Sequence, residues 1–231
     1  MLRVEGLDQY YGQSHTLWNI GLEVPEGRCV CLLGRNGVGK TTLLKCIMGL
    51  LPVASGRIDF ARKEIAGAPA EWRARLGIGY VPQGREIFPR LTVEENLRLG
   101  LLARRDGVRK LPERIFELFP VLKQMRRRRG GDLSGGQQQQ LAIGRALAVG
   151  PKLLILDEPT EGIQPNIVHE IGDIILRLNR EERLTVLLVE QKLHFVRRVA
   201  DRFHVMNKGR ITAAGAMEEL SEELVREYLT V

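Results

Sequence analysis

The stretch GRNGVGKT at residues 34–41 decides the fold of this chain. It fits the pattern G-x-x-x-x-G-K-[ST], and it lies between an apolar run at residues 28–33 and a helical pattern at residues 40–51. The glycines let the backbone curve around a chain of phosphates with successive amides pointing inward, and the start of the helix adds partial positive charge. The sequence therefore predicts a site for a nucleoside triphosphate.

Two side chains at the end of this loop match the charge of that ligand. We expect Lys40 to reach the outer phosphates and the hydroxyl of Thr41 to bind Mg²⁺. A simple tight turn is the alternative, and the strand-loop-helix context argues against it. The predicted nucleotide-binding residues of the loop are Gly34, Arg35, Asn36, Gly37, Val38, Gly39, Lys40, Thr41 and Thr42.

A second apolar run, at residues 153–156, ends in two acids. A buried strand would deliver Asp157 at its carboxyl end, where it could hold Mg²⁺ directly or through water. Glu158 follows and could polarise a water molecule aimed at the γ-phosphate. Many strands end in an acid, so the pattern gains its weight from the glycine loop in the same chain. We predict a metal-binding role for Asp157 and a catalytic role for Glu158.

Residues 134–137, Ser-Gly-Gly-Gln, have the features of a helix start. Ser134 is a good N-cap and Gln137 stands at the position of its capping-box partner. Such a segment is either an ordinary capped helix or a second anion-binding helix end. These residues alone do not decide between the two.

Composition narrows the class of protein. The chain has 231 residues, 44% of them hydrophobic, which is enough for a folded domain with a core. No apolar run approaches the ~20 residues that span a bilayer, and residues 1–5 lack a signal-peptide pattern, so we expect a cytosolic protein. The three cysteines and four histidines have no metal-ligand spacing.

The net charge of +7 is concentrated in basic blocks at residues 104–105, 109–110 and 126–129. Such blocks are most often solvated, although nucleic acid or an anionic membrane surface would also attract them. Composition does not choose between these alternatives.

Short β-rich runs alternate with amphipathic helical patterns along the chain, which predicts a mostly parallel sheet covered on both faces. Residues 55–65 predict a strand or hairpin, and residues 77–82, 152–156 and 185–189 predict strands. Thr92 and Glu95 form a capping-box pattern that opens a mostly helical stretch up to residue 129. An apolar stripe at residues 167–178 predicts a helix that packs on the core.

The order of these motifs resembles that of the ATP-binding cassette (ABC) ATPases, whose signature LSGGQ stands here at residues 133–137. The resemblance covers essentially the whole chain. It implies a single ABC ATPase domain over residues 1–231, with a RecA-like parallel-sheet core, an N-terminal antiparallel β portion and an inserted helical subdomain at about residues 84–133. It also implies that Tyr11 stacks on adenine and that Gln83 senses Mg²⁺ and the γ-phosphate.

The resemblance further implies partners. Two ATPase subunits would close head to tail around ATP and Mg²⁺, so that Lys40 and Glu158 of one face the signature of the other. The nucleotide-contacting residues of that signature would be Ser134, Gly135, Gly136 and Gln137. The closing of the two subunits would be transmitted to membrane-spanning permease subunits, and a solute-binding protein would be an indirect partner. The chain would lie in the cytoplasm, on the inner face of the membrane.

Two places depart from the family pattern. Residues 161–164, Glu-Gly-Ile-Gln, replace the usual end of the D-loop, and Gln191 stands where the switch histidine usually follows the last acid. The amide of Gln191 can still donate to a γ-phosphate oxygen, so it joins Lys40 and Glu158 among the predicted catalytic residues. The substitution predicts slow hydrolysis by the unpartnered chain.

A glutamine at this position resembles that of one ATPase subunit of the branched-chain amino acid importers, a group that includes a urea branch. The phrases at residues 84–97, 131–147 and 156–165 look closest to the urea branch, so the sequence predicts urea import, with branched-chain amino acids as the alternative. A soluble ABC ATPase acting on nucleic acid or ribosomes, and a regulatory subunit with little turnover, are weaker alternatives. No nucleic-acid partner is expected.

Overall fold

The computed structural model describes residues 1–104 and 106–229. The strands are β1 Leu2–Tyr11, β2 Ser14–Val24, β3 Cys29–Leu33, β4 Ser55–Phe60, β5 Lys63–Glu64, β6 Ile78–Val81, β7 Leu153–Asp157, β8 Thr185–Val189, β9 Arg202–Asn207 and β10 Arg210–Ala216. The α-helices are α1 Lys40–Met48, α2 Ala70–Arg75, α3 Val93–Leu101, α4 Glu113–Leu118, α5 Pro120–Gln124, α6 Gly135–Ala148, α7 Pro165–Arg180, α8 Leu193–Val199 and α9 Glu222–Tyr228.

A six-stranded sheet with the order β10-β9-β3-β8-β7-β6 forms the centre of the fold. Its strands run parallel from β9 to β6, and only β10 pairs antiparallel. Strands β3, β7 and β8 are buried along their whole length, which explains their nearly continuous apolar sequences. The α/β fold with a mostly parallel core sheet is therefore confirmed.

The predicted antiparallel portion is a second sheet with the order β2-β1-β4-β5. Strand β1 pairs antiparallel with both β2 and β4, and its register shifts several times. The hairpin predicted at residues 55–65 consists of β4 and β5. Successive side chains of β3 point to opposite faces of the core sheet, so Cys31 packs into one hydrophobic cluster and Leu32 into the other.

Two helix starts have the predicted capping boxes. The backbone N–H of Thr92 donates to Glu95 Oε2 at 2.7 Å, and that of Glu95 donates to Thr92 Oγ1 at 3.2 Å. At the start of α6, Ser134 N–H donates to Gln137 Oε1 at 3.0 Å, and the reciprocal bond measures 3.4 Å. These bonds satisfy amides that have no partner inside the helix.

Helix α1 is shorter than the predicted 40–51 because Gly49 ends it. Gly49 has a φ of 72°, a left-handed conformation that returns its N–H to carbonyls of the last turn. The apolar stripe of α7 belongs to the core from residue 171 onward, where Ile171, Ile175 and Leu178 are buried.

Helices α3, α4 and α5 lie between β6 and α6 in the chain. Their side chains Leu97, Ile115 and Leu122 surround Gly144 of α6, within 3.1–3.3 Å of where a Cβ would stand. We propose that residues 84–133 form an inserted helical subdomain. Arg105, in one of the basic blocks, lies outside the described residues. Within the described part of the chain, no helix combines the length and apolar character needed to cross a membrane.

One buried cation holds the end of α1. Arg73 is 2% exposed, and its guanidinium donates to Cys46 O at 2.7 Å, Ile47 O at 2.8 Å, Ala66 O at 2.8 Å and Ala68 O at 2.9 Å. These carbonyls include two at the carboxyl end of α1, where the negative end of the helix dipole lies. Arg73 therefore fastens the helix that begins at the glycine loop.

We expect Arg73→Met to destabilise the protein by about 2–4 kcal/mol, because several buried carbonyls lose a charged donor. Urea unfolding would measure the change in the free energy of unfolding. Arg75→Met is the matched control, since Arg75 lies two residues away in the same helix and is exposed. Equal small effects of the two substitutions would contradict this role of Arg73.

Candidate functional site

The glycine loop between β3 and α1 needs glycine at two positions for steric reasons. Gly34 has a φ of 153°, and a Cβ there would lie 2.4 Å from Met206 O. Gly39 has a φ of 112°, and a Cβ there would lie 2.8 Å from Leu17 Cδ2. The loop is thus packed tightly against its neighbours, and its path is fixed before any ligand arrives.

Lys40, the first residue of α1, is buried at the base of this loop. Its ammonium donates to Gly34 O at 2.7 Å and to Arg35 O at 2.8 Å, and it lies 3.6 Å from Glu158 Oε1. Burial lowers the pKa of Lys40, and the negative charge of Glu158 acts in the opposite direction. The two loop carbonyls and the Glu158 carboxylate hold the Lys40 ammonium inside the loop that the sequence predicts to bind phosphates.

The carboxylate of Glu158 brings three predicted site residues together. Gln191 Nε2 donates to Glu158 Oε1 at 2.7 Å, Gln83 Nε2 donates to Oε2 at 3.3 Å, and Lys40 is the cation described above. Glu158 has a φ of 48°, and its N–H donates to Val189 O at 2.9 Å. A non-glycine residue in this conformation carries a cost of about 1 kcal/mol, which the surrounding contacts must offset.

Gln191 also reaches the glycine loop. Its Nε2 donates to Asn36 Oδ1 at 2.5 Å as well as to Glu158. One amide nitrogen therefore links the residue predicted to activate water with the loop predicted to hold phosphates. This contact joins side chains 155 residues apart in the sequence.

Asp157 differs from the other charged groups in how little its oxygens are hydrogen-bonded. It is 1% exposed, and neither carboxylate oxygen makes a hydrogen bond of normal geometry among the described residues, although the Thr41 hydroxyl lies close enough to act on its charge. Burial raises the pKa of Asp157 to about 6, and the nearby Thr41 hydroxyl and the charge of Lys40 act in the opposite direction. Buried, unpaired carboxylate oxygens next to a hydroxyl are hard ligands of the kind that Mg²⁺ prefers. The residues present thus fit the predicted ion.

No group of three or more His, Cys, Asp or Glu side chains suited to a metal occurs within residues 1–104 and 106–229. A magnesium ion at Asp157 would therefore depend on oxygens of the nucleotide and of water to complete its shell.

A pocket of about 480 Å³ collects most of the predicted nucleotide-binding residues. Tyr11 stands at its rim with 49% of its surface exposed, so a face of the ring is accessible for stacking. The pocket is lined by Tyr11, Thr16, Asn36, Gly37, Gly39, Lys40, Thr41, Thr42, Gln83 and Glu158. Gly34, Arg35 and Val38 do not line it.

The signature residues lie elsewhere. Ser134, Gly135, Gly136 and Gln137 line a separate groove of about 870 Å³, which also includes residues of α7 and shares no lining residue with the first pocket. One copy of the chain therefore does not bring its signature to its own Lys40. That a second subunit supplies it stays a prediction.

Several residues that contact the site were missed from the sequence. Glu161 Oε2 accepts from Gln83 at 3.0 Å, and the carbonyl of Glu161 accepts from Arg85 at 3.4 Å. Glu190 is buried and bonds to Thr160. Glu190 follows a buried apolar strand just as Asp157 does, so the argument used for Asp157 would have found it.

Comparison with known proteins identifies relatives. The ABC transporter family model matches residues 17–161. The chain is 44% identical to the high-affinity branched-chain amino acid transport ATP-binding protein BraG of Pseudomonas aeruginosa, over 91% of each protein. It is 36% identical to a protein of Archaeoglobus fulgidus that is named "Probable branched-chain amino acid transport ATP-binding protein LivF", over 96% of this chain and 94% of that protein.

Solved structures of similar fold are ATP-binding cassettes. One is a dimeric cassette in a post-hydrolysis state bound to ADP and Pi, with a TM-score of 0.85 and 25% identity over 94% of this chain and 99% of that chain. Another is an ABC transporter cassette in its ADP conformation, with a TM-score of 0.83 and 31% identity over 98% and 97%.

The unpaired carboxylate of Asp157 has a consequence for stability. Because burial raises its pKa from 3.8 to about 6, the folded state loses stability as the pH rises through that interval. Asp157→Asn should therefore stabilise the nucleotide-free protein, and the gain should be about 1 kcal/mol larger near pH 7.5 than near pH 5. Urea unfolding at both pH values, without magnesium, measures it.

Asp59→Asn provides a control of opposite sign. Its hydrogen bond with Arg57 lowers the pKa of Asp59, so this substitution should remove stability that is present at neutral pH and lost on acidification. A loss of stability in Asp157→Asn that grows with pH would contradict the assignment of an uncompensated charge.

Proposed function

This chain belongs to the ABC transporter family as an ATP-hydrolysing subunit, and we propose that it powers the import of branched-chain amino acids. The observation that carries the proposal is the 44% identity to BraG over 91% of both chains. Relatives named for sulfate/thiosulfate import, lipopolysaccharide export or glutamate transport are 34–36% identical.

The urea import predicted from the sequence lacks support from these relatives. The phrases that favoured it include residues 134–140 and 161–165, which the family resemblance assigns to the nucleotide and partner side. Such residues can follow a branch of a family without contacting the solute. The alternative stated with that prediction, branched-chain amino acids, fits the relatives better.

For the chemistry, we assign the nucleotide to the pocket at the glycine loop. Its phosphates would meet the loop amides and Lys40, and its adenine would stack on Tyr11. Thr41, Asp157 and Gln83 would hold Mg²⁺, which neutralises charge on the phosphate oxygens. The proposal is supported by the pocket's lining and by the unpaired oxygens of Asp157.

Glu158 and Gln191 would act on the γ-phosphate side. The carboxylate of Glu158 would orient and polarise the attacking water, and the Gln191 amide would donate to a phosphate oxygen. The support is their mutual distance of 2.7 Å and their closeness to Lys40 and Asn36.

We assign the second groove to a partner ATPase subunit. Ser134, Gly135, Gly136 and Gln137 would face the nucleotide held by that partner. Helices α3–α5 would contact membrane-spanning permease subunits. Those subunits would receive the solute from a solute-binding protein. The chain itself would lie on the inner face of the membrane. A cassette solved as a dimer with ADP and Pi supports the pairing of two such subunits.

The basic blocks do not require nucleic acid as a partner. Arg126 donates to both oxygens of Glu94, at 2.7 and 2.8 Å, and its guanidinium lies 5.5 Å from the Phe116 ring centroid. Arg104 is paired with Asp106. Ion pairs within the chain therefore neutralise part of this positive charge.

Nucleotide binding and turnover should separate in two variants. Lys40→Ala should lower ATP affinity by at least about tenfold, because the buried cation opposite the phosphates is lost. Glu158→Gln should retain ATP affinity and lose turnover by about 10²-fold or more, since the site keeps its shape without a base. Titration with a fluorescent ATP analogue and a phosphate-release assay measure the two effects.

The exposed Lys63, in β5, gives the control variant Lys63→Ala, for which neither quantity should change. Wild-type turnover by Glu158→Gln would show that another group activates the water.

The solute is tested by uptake in a strain that lacks this chain. Uptake of radiolabelled leucine at micromolar concentration should be lost and should return with the wild-type chain but not with Glu158→Gln. Urea uptake should be unchanged. Loss of urea uptake with intact leucine uptake would reverse the assignment and would leave the ATPase chemistry unaffected.

A further inference from the structure

A buried carboxylate next to the site accepts four hydrogen bonds. Glu190 is 2% exposed. Its Oε1 accepts from the backbone N–H of Thr160 at 3.1 Å and from the Thr160 hydroxyl at 2.5 Å. Its Oε2 accepts from the N–H groups of Gln191 at 2.9 Å and Lys192 at 3.2 Å. Every donor is a neutral group, and three of the four belong to the backbone.

The third polar group of Thr160, its backbone carbonyl, is also hydrogen-bonded. Its carbonyl accepts from Lys192 Nζ at 2.9 Å. The N–H, hydroxyl and carbonyl of Thr160 are thus all bonded to the segment that follows β8. We call this set of contacts among Thr160, Glu190 and Lys192 the Thr160–Glu190 clamp.

The clamp joins the two loops that carry the proposed chemistry. Thr160 lies two residues after Glu158, and Glu190 lies immediately before Gln191. The side chains of Glu158 and Gln191 meet at 2.7 Å, which requires the two loops to keep their relative position. Glu158 is also held in a left-handed conformation, which persists only where neighbouring contacts determine it.

A carboxylate is the side chain that this arrangement needs. Two oxygens with about four lone-pair positions can accept all four donors, whereas a glutamine amide would direct its own N–H groups at two of them. Burying a charge costs several kcal/mol unless it is well hydrogen-bonded, so an acid here is tolerated because all four donors are in place.

We propose that Glu190 is a positioning residue for ATP hydrolysis, which acts through Thr160 to hold Glu158 and Gln191 in register. The proposal rests on the roles given to those two residues above. Neither Thr160 nor Glu190 lines the nucleotide pocket. Loosening the clamp should therefore lower kcat and leave ATP affinity nearly unchanged.

The test removes the hydroxyl of Thr160 without changing its shape. Thr160→Val should lower kcat by about tenfold or more with ATP affinity within about twofold of wild type, because a displacement of about 1 Å at the reacting groups can slow a reaction by about 10²-fold. Thr160→Ser, which retains the hydroxyl, should recover most of the rate. The phosphate-release and fluorescent-ATP assays supply kcat and the dissociation constant.

Thr185→Val is the matched control. Thr185 is a buried threonine at the other end of β8, and its hydroxyl oxygen accepts from Gly27 N–H at 3.0 Å. Its substitution should lower the thermal midpoint to a similar extent and leave kcat unchanged. Equal kcat for Thr160→Val and Thr185→Val at equal stability would overturn the proposal.

Two further measurements keep the outcome decisive. If Thr160→Val does not fold, Glu190→Gln is compared with wild type by amide hydrogen exchange, and faster exchange at residues 190–192 with retained ATP binding and lowered kcat supports the clamp. Unchanged exchange or unchanged kcat overturns it.

Glu158→Gln is measured in parallel to separate the two proposals. Wild-type turnover in that variant refutes the site assignment itself. An inactive Glu158→Gln together with a normal kcat in Thr160→Val refutes the clamp alone.

Discussion

The parallel register of β3, β8 and β7 is the constraint on which the rest of the structure depends. Val189 pairs with Leu32 on one side and with Asp157 on the other, so the three strands end at the same edge of the sheet. Their buried side chains fix this register, since a shift of one residue would reverse which face each side chain meets. The glycine loop and the loops after Asp157 and Val189 consequently emerge together, and their polar groups meet although they are far apart in sequence.

Three charged groups are buried at this edge, and they are compensated in different ways. Glu190 has four donors, Lys40 has two loop carbonyls and the Glu158 carboxylate, and Asp157 makes no hydrogen bond of normal geometry among the described residues. A buried charge without a partner is the most costly of these. Among these three groups, the hydrogen bonds of the fold compensate Glu190 and Lys40 more fully than Asp157, and this difference supports a cation at Asp157 independently of sequence motifs.

Sequence reasoning reached the parts of this site that depend on local patterns. The glycine loop, the strands before Asp157 and Glu190, and both capping boxes follow from neighbouring residues. The bonds of Thr160 with Glu190 and the four bonds of Arg73 do not, because they join segments whose approach only the tertiary structure shows. The solute could not be inferred from the sequence for a different reason, since the phrases used to infer it are ones that the family resemblance assigns to the nucleotide and to partner subunits.

The clamp also gives a physical basis for the catalytic role that we propose for a glutamine at position 191. A glutamine side chain has three torsions, so its amide is placed less precisely than the imidazole ring of the histidine that is usual at this position in the family. Here the backbone N–H of Gln191 is held by Glu190, while its Nε2 is held by Glu158 and Asn36. With both ends of the side chain fixed, most of its torsional freedom is removed before the nucleotide binds. A neutral amide fixed in this way can direct an N–H at a developing charge without a change in its own protonation.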